Sequence, residues 1–150
     1  MVERRDSNWA HAPHHAVDVA IPGLLPGRYL RITTLTVIEA YDVVRLEYEV
    51  VPIDEPPTSE NAEASRALGP HRWFLSGRDD VGTEYWDQGG TYGIPPSGVL
   101  ADGERDLHPV PPARATWLEI AFHAAGEPET FEHARYVLKV ALPLGAASPP

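Results

Sequence analysis

The sequence contains no cysteine among its 150 residues. The fold therefore has no disulfide bond, and neither a thiolate metal site nor a thiol nucleophile can form. No apolar run approaches the length of about 20 residues that a membrane-spanning helix needs. The N-terminal segment MVERRDSNWAHAPHH has positive charges but no apolar region behind them, which is not the pattern of a secretory signal. These absences predict a soluble, cytoplasmic protein.

Basic residues are also scarce, since 12 lysines and arginines stand against 22 aspartates and glutamates, for a net charge of −10. Binding to nucleic acid requires a basic face that contacts phosphates, so we expect no nucleic-acid partner. The same charge argues against binding to an anionic membrane surface. It permits a cationic protein partner or a divalent cation.

The length of the chain suits one domain. We expect a single domain over residues 14–143, because residues 1–13 show no hydrophobic period and residues 144–150 are rich in small residues and proline. Both end segments are therefore expected to be flexible.

Alternation of apolar and polar residues is the strongest pattern in the chain, and it is typical of half-buried strands. It occurs in YDVVRLEYEVVPI, in ATWLEIAFHA and in RYVLKVAL. The apolar faces of these segments are Val44, Leu46, Tyr48 and Val50; Leu118, Ile120 and Phe122; and Tyr136, Leu138, Val140 and Leu142. Glu119, Trp117 and His123 fall on the opposite face of the second segment.

Further strands are indicated in AVDVAI, GRYLRITTLTVIEA, HRWFLSG, GTEYW and ERDLHPV, with turn residues between them. About seven or eight strands with few helix signals predict an all-β fold, an antiparallel immunoglobulin-like β-sandwich. The one helix candidate is TSENAEASRALGP, which has a capping serine at Ser59 and ends at Gly69. It predicts either a short helix near 59–68 or a loop.

The order of features from Trp73 onward is an aromatic strand, DDVGTEY, the pair Gly89–Gly90, GERDLHPVP and ARATWLEI. This order resembles uncharacterised immunoglobulin-like β-sandwich domains of bacterial surface lipoproteins and of anti-sigma-type membrane proteins. The resemblance covers roughly the second half of the chain and implies a fold, with no catalytic residues to transfer. The sequence departs from those proteins because it has no lipobox, signal or membrane anchor.

The stretch GRDDVGTEYWDQGGTYG, residues 77–93, combines carboxylates, aromatic side chains and glycines. Its candidate ligand-binding residues are Asp79, Asp80, Glu84, Tyr85, Trp86, Asp87 and Tyr92. Aspartate caps turns and glycine supplies positive φ, so DDVG predicts a hairpin turn without any ligand. A Ca²⁺ site would need six to eight converging oxygens, and the stretch lacks the Asp-x-Asp-x-Asp-Gly spacing of a calcium loop.

The aromatic residues of this stretch allow a carbohydrate platform, since exposed Trp and Tyr beside carboxylates stack on sugar rings. Tyr85 and Trp86 are adjacent in a strand and so face opposite ways, which places one of them in the core. The histidines of HAPHH could take up a transition metal only adventitiously, because ordering a loose terminus costs entropy. We predict no metal site there.

Motifs for hydrolysis or phosphate binding are absent: the sequence has no Gly-x-Ser-x-Gly, no His-Glu-x-x-His and no phosphate-cradling loop. We therefore predict a non-enzymatic protein-binding or assembly module of unknown pathway. Self-association is one form this would take, and the interface candidates are Val43, Val51, Trp73 and Trp117. The alternative is a small-ligand binder, for carbohydrate or Ca²⁺, that uses the hairpin at 77–93.

Overall fold

The computed structural model describes residues 14–25, 27–53, 73–93 and 101–144. They form eight strands: β1 (His14–Leu25), β2 (Arg28–Ile38), β3 (Val43–Pro52), β4 (Trp73–Asp79), β5 (Glu84–Gly93), β6 (Ala101–His108), β7 (Trp117–Ala124) and β8 (Tyr136–Ala141). Helical structure in these ranges consists of two single 3-10 turns, Glu39–Tyr41 and Phe131–His133. No helix in the described part of the chain is long and apolar enough to cross a membrane. The predicted helix near 59–68 and the flexible segment 1–13 lie outside the described residues.

All eight strands belong to one antiparallel sheet in the order β1-β2-β3-β6-β5-β4-β7-β8. The sheet curls until distant strands meet inside it. Tyr48 of β3 contacts Trp73 of β4 edge to face, with ring centroids 5.1 Å apart, although β6 and β5 lie between these strands in the sheet. The predicted all-β antiparallel class is therefore confirmed. The core lies inside one continuous, nearly closed sheet, and the immunoglobulin-like assignment stays a prediction.

The core is formed by the apolar faces that the alternation predicted. Leu46, Ile120 and Leu138 are 1%, 1% and 8% exposed. Trp73 stacks on Phe122 of the neighbouring strand β7, with ring centroids 6.1 Å apart, on the inner face of the sheet. Each large apolar side chain that leaves water in this way contributes about 1.5–3 kcal/mol. The other face of each strand points outward and carries most of the polar side chains.

Two of the predicted interface residues are buried. Val43 is 2% exposed and Trp73 is 1% exposed, so the prediction that their side chains are available at the surface is wrong. Val43 pairs with Ile38 at the closed end of the β2–β3 hairpin, where the Val110 N–H binds the Asp42 carboxylate and brings the segment after β6 against it. Val43 and Val44 are therefore both buried, although neighbouring residues of a strand face opposite sides of the sheet. The other two candidates, Val51 and Trp117, are partly exposed, and Lys139 Nζ lies 4.7 Å from the centre of the Trp117 ring.

The glycines of β5 serve the contact between β5 and β6. A Cβ atom at Gly90 would lie 1.9 Å from the Glu104 carbonyl oxygen, so the two backbones can approach only where residue 90 has no side chain. Gly89 has φ +87°, and the pairing register shifts between Asp87 and Gly90. The bulge, not a phosphate-binding loop, accounts for the glycine pair in this strand.

Candidate functional site

Asp79 is the buried side chain that caps the β4–β5 turn. It is 6% exposed and accepts hydrogen bonds from the backbone N–H groups of Val81 and Thr83, at 3.0 and 2.9 Å, and from the Tyr85 hydroxyl at 2.7 Å. Burial on its own would raise the pKa of the Asp79 carboxyl, but these hydrogen bonds outweigh it, so the pKa is lowered. The carboxylate is a turn cap whose oxygens are already engaged.

Asp80 ties the same turn to the start of β7. It is exposed, and it accepts hydrogen bonds from the Thr116 N–H at 2.8 Å, the Thr116 hydroxyl at 2.6 Å and the Trp117 N–H at 3.3 Å. The hydrogen bonds from Thr116, foremost the one from its hydroxyl, lower the pKa of the Asp80 carboxyl. This residue is also structural.

Asp87 is the third hairpin carboxylate whose oxygens accept hydrogen bonds from the chain itself. It accepts from the N–H groups of Leu75 and Gly89, at 2.9 and 2.6 Å, and from Arg105 Nη1 at 2.8 Å. The side chains of Asp87 and Arg105 are 13% and 9% exposed. The Arg105 guanidinium lies over the Trp73 ring, 4.6 Å from its centre. The ion pair therefore helps to fix β5 and β6 against the core.

The hairpin carboxylates do not form a cation site. Within the described residues, no three histidine, aspartate or glutamate side chains gather closely enough to hold a metal ion. Asp79, Asp80 and Asp87 each bind different donors of the chain, as described above. Glu84 is exposed, and it lies on the face of β5 opposite Tyr85. The sequence brings these four residues together, but the fold does not.

Trp86 is the large aromatic residue of the hairpin that faces outward. Tyr85 is 3% exposed and belongs to the core, whereas Trp86 is 53% exposed, which confirms that the two side chains face opposite ways. The Trp86 ring lies against the His108 ring of β6, with centroids 4.8 Å apart. Tyr92 is partly buried and packs against the core. The aromatic cluster of the sequence therefore leaves one large ring at the surface.

A second exposed aromatic side chain belongs to the turn that His108 contacts. His108 Nδ1 is 2.9 Å from the Asp42 carbonyl oxygen, and the neighbour of Asp42 is Tyr41, which is 60% exposed. The Arg45 guanidinium lies 5.8 Å from the centre of the Tyr41 ring. We call Trp86, His108 and Tyr41 the aromatic surface. Its parts come from β5, β6 and the β2–β3 turn.

The same outer face carries four carboxylates further along β3 and β6. Two successive rungs pair acid with acid, and we call these four residues the acidic ladder: Glu47 opposite Glu104 and Glu49 opposite Asp102. Like charges in directly opposite positions destabilise a sheet. Arginines compensate part of this charge, since Arg31 Nη1 lies 3.0 Å from Glu49 and Arg45 Nη1 lies 3.7 Å from Glu104.

The ladder lines a groove of about 440 Å³, together with Thr33 on one side and Thr91 on the other. The ion pairs that Arg31 and Arg45 make on this face go to Glu49, Glu104 and Asp106, and not to Glu47 or Asp102. Both side chains are exposed. In contrast to the hairpin, this part of the surface presents carboxylates that are free to bind a cation or an N–H donor.

Tyr41, His108 and the acidic ladder were not predicted from the sequence. Glu47 and Glu49 are visible as the polar face of an alternating segment, but their partners on β6 depend on a pairing between strands that are distant in the chain. His108 and Trp86 likewise become neighbours only through the β5–β6 register. The alternation predicts that Glu47 and Glu49 point outward, but it does not predict which strand lies beside them.

No family model and no curated protein matches the chain. One solved structure that is similar to it is a conserved domain protein from Bacillus anthracis, with 12% sequence identity and a TM-score of 0.40. The similarity covers 85% of this chain and 43% of that chain. The chain thus spans less than half the length of that protein.

Proposed function

We propose that the chain is a non-enzymatic protein-binding module whose outer face, on β3, β6 and β5, binds a basic segment of a partner protein. The observation that carries the proposal is that the Trp86 side chain is 53% exposed on the outer face of the sheet, with its ring against the His108 ring. Tryptophan, tyrosine and arginine dominate the binding energy of protein interfaces. The aromatic surface contains a tryptophan and a tyrosine, and the Arg45 guanidinium lies over the Tyr41 ring.

Charge favours a basic partner over a second copy of the chain. The net charge is −10, so two copies repel each other at long range. The acidic ladder lies on the same face as the aromatic surface, because Asp102, Glu104 and His108 alternate outward along β6. From Asp102 to His108 the strand spans about 20 Å. That length suits an extended segment with cationic side chains at one end and an apolar side chain at the other.

The surface supports protein binding better than carbohydrate binding. A sugar platform needs polar groups with free oxygens close to the exposed ring. Of the four carboxylates of the hairpin, Asp79, Asp80 and Asp87 accept hydrogen bonds from the chain itself, whereas Glu84 is exposed on the same face of β5 as Trp86. That is one exposed carboxylate beside the ring, and the acidic ladder starts roughly 13 Å from His108 along β6.

The proposal is tested by titrating the ¹⁵N-labelled chain with a decapeptide of alternating arginine and valine, and by following its amide and indole signals. We expect shifts at the Trp86 indole and at the outward residues of β3, β6 and β5. A decapeptide of alternating glutamate and valine is the matched control, and it should cause none. Equal shifts with both peptides, or shifts confined to other strands, would overturn the proposal, as would a dimer of the free chain that buries Trp86.

A further inference from the structure

His123 is a buried histidine on the outer face of the sheet. It lies on β7 opposite Phe74 of β4, on the same face as Ser76 and Arg78, and yet it is 0% exposed. Its Nε2 is 2.7 Å from the Ser76 hydroxyl, and its ring stacks on Phe74 with centroids 5.3 Å apart. Ala121, on the same face, is also 0% exposed. Something must therefore cover this part of the outer face.

Residues 125–135 connect β7 to β8, and they bring the Pro128 backbone, Glu127 and Glu129 to the His123 ring; we call them the cover segment. It reaches across β7 to β4, where the Phe131 ring lies 4.0 Å from the Arg78 guanidinium carbon. Its end is fixed by the Arg135 N–H, which donates to the Phe122 carbonyl at 2.8 Å. Between these points its backbone makes local turns, such as the bond from the His133 N–H to the Thr130 carbonyl. Segments held in this way open at low free-energy cost.

The buried ring of His123 is satisfied on one side only. Nδ1 is buried and has no hydrogen-bond partner. The Pro128 carbonyl is near enough to favour a protonated ring but does not complete a hydrogen bond to it. The charged groups that act on the ring, Glu129 and Glu127, come from the cover segment, and Arg135 binds Glu127 with Nε to Oε1 at 2.8 Å. On β4 the groups against the ring, Phe74 and Ser76, do not titrate.

Protonation of His123 is therefore unfavourable as long as the cover segment is closed. Burial lowers the pKa of His123 below its ordinary value of 6.5, and the two glutamates offset this only in part. The open state, with the ring in water, binds the proton more readily. Because the open state holds more protons in this range, the free energy of opening falls as the pH falls below 6.5.

We propose that the cover segment is a proton-gated cover, which lies closed over Ser76 and His123 when the imidazole is neutral and opens when it is protonated. Opening would uncover Phe74, Ser76 and His123, and Ser76 is the direct cross-strand neighbour of Trp86. The gate would thus enlarge the aromatic surface at acidic pH. This last consequence rests on the proposed function, whereas the gate itself does not.

The test is hydrogen exchange of the intact chain at about pH 7.5 and about pH 5.5, corrected for intrinsic exchange rates, in the window around the ordinary histidine pKa. We expect the protection of residues 125–135 to fall by up to about tenfold at the lower pH, the ratio that follows when only the open state titrates in this window. Peptides from β2 and β3 should keep their protection. Equal protection of the cover segment at both pH values would overturn the proposal.

Two variants assign the effect to one ring. His123→Gln keeps a polar group near Ser76 but cannot titrate, so its cover segment should show no pH dependence. His133→Gln is the matched control, since His133 lies in the same segment with a side chain that is 53% exposed, and it should behave like wild type. An NMR titration of wild-type His123 gives an independent reading if the first variant does not fold. A measured pKa at or above 6.5 would contradict the gate.

Discussion

Two groups of carboxylates lie on this sheet, and they differ in what their oxygens bind. Asp79, Asp80 and Asp87, around the β4–β5 hairpin, each accept three or more hydrogen bonds from the chain. The carboxylates of the acidic ladder face one another across β3 and β6, and an arginine pairs with one carboxylate of each rung. The first group stabilises the fold, whereas the second is maintained in spite of its mutual repulsion.

The difference shows that density of acidic and aromatic residues in a sequence is a poor guide to a binding site. The hairpin at 77–93 has the denser pattern, and the fold uses most of it internally. The ladder is spread over two strands that are distant in the chain, and two of its four carboxylates, Glu47 and Asp102, are exposed to solvent. The hairpin carboxylates differ from the acidic ladder in how many hydrogen bonds their oxygens already accept from groups of the chain.

The largest effect should follow from Asp87→Asn. The change removes the carboxylate charge of Asp87 from a nearly buried ion pair with the Arg105 guanidinium. Breaking a buried pair in this way costs about 3 kcal/mol or more. Urea unfolding followed by circular dichroism measures the loss. If the urea midpoint of the variant equals that of wild type, Asp87 does not stabilise the fold, and the proposed difference between the hairpin carboxylates and the acidic ladder is wrong.

Tyr85→Phe should give a smaller loss. It deletes the hydroxyl that donates to the buried Asp79 carboxylate at 2.7 Å, and it leaves the ring in the core. A hydrogen bond to a charged group is worth about 1.5–3 kcal/mol. The same urea experiment applies, with Tyr41→Phe as the control, since Tyr41 is 60% exposed and its hydroxyl should contribute nothing measurable.

How much of this the sequence predicted depends on the range of the contacts involved. Alternation correctly placed Leu46, Ile120 and Leu138 inside, and it placed His123 outside them on the opposite face of β7. It did not reveal the cover segment, because burial of an outward residue by a distant loop leaves no trace in a two-residue period. Nor did it show which of Tyr85 and Trp86 is buried, a choice made by the β4–β5 register.

Acid should weaken the fold partly through Asp79. Its carboxyl has a lowered pKa in the folded chain, so its stabilising effect is complete above the ordinary value of 3.8 and is lost as the pH falls below that value. Asp79→Asn removes this contribution. The difference in unfolding free energy between wild type and variant, measured against pH, should therefore shrink as the solution is acidified below 3.8. A difference that grows toward acid pH would show that the carboxyl pKa is raised instead.

The smallest effect, and of opposite sign, is expected for Glu47→Gln. Removing one charge of the facing pair with Glu104 relieves repulsion and should raise stability by about 0.2–1 kcal/mol at low salt. The gain should decline as salt is added, because exposed charges are screened. The same carboxylate-to-amide change is thus destabilising at Asp87 and stabilising at Glu47. A loss of stability at Glu47 would mean that the ladder is structural after all.

The central claim is that the outer face around Trp86 binds a basic partner segment, and the affinity of the arginine–valine decapeptide for wild type, Trp86→Ala and Val137→Ala tests it most directly. Val137 is the matched control, an exposed apolar residue of β8 away from the aromatic surface. Fluorescence anisotropy with labelled peptide should show binding weakened about tenfold or more by Trp86→Ala. It should show no change for Val137→Ala and weaker binding to wild type at higher salt. Equal affinities for all three proteins, or binding that salt leaves unchanged, would contradict the claim.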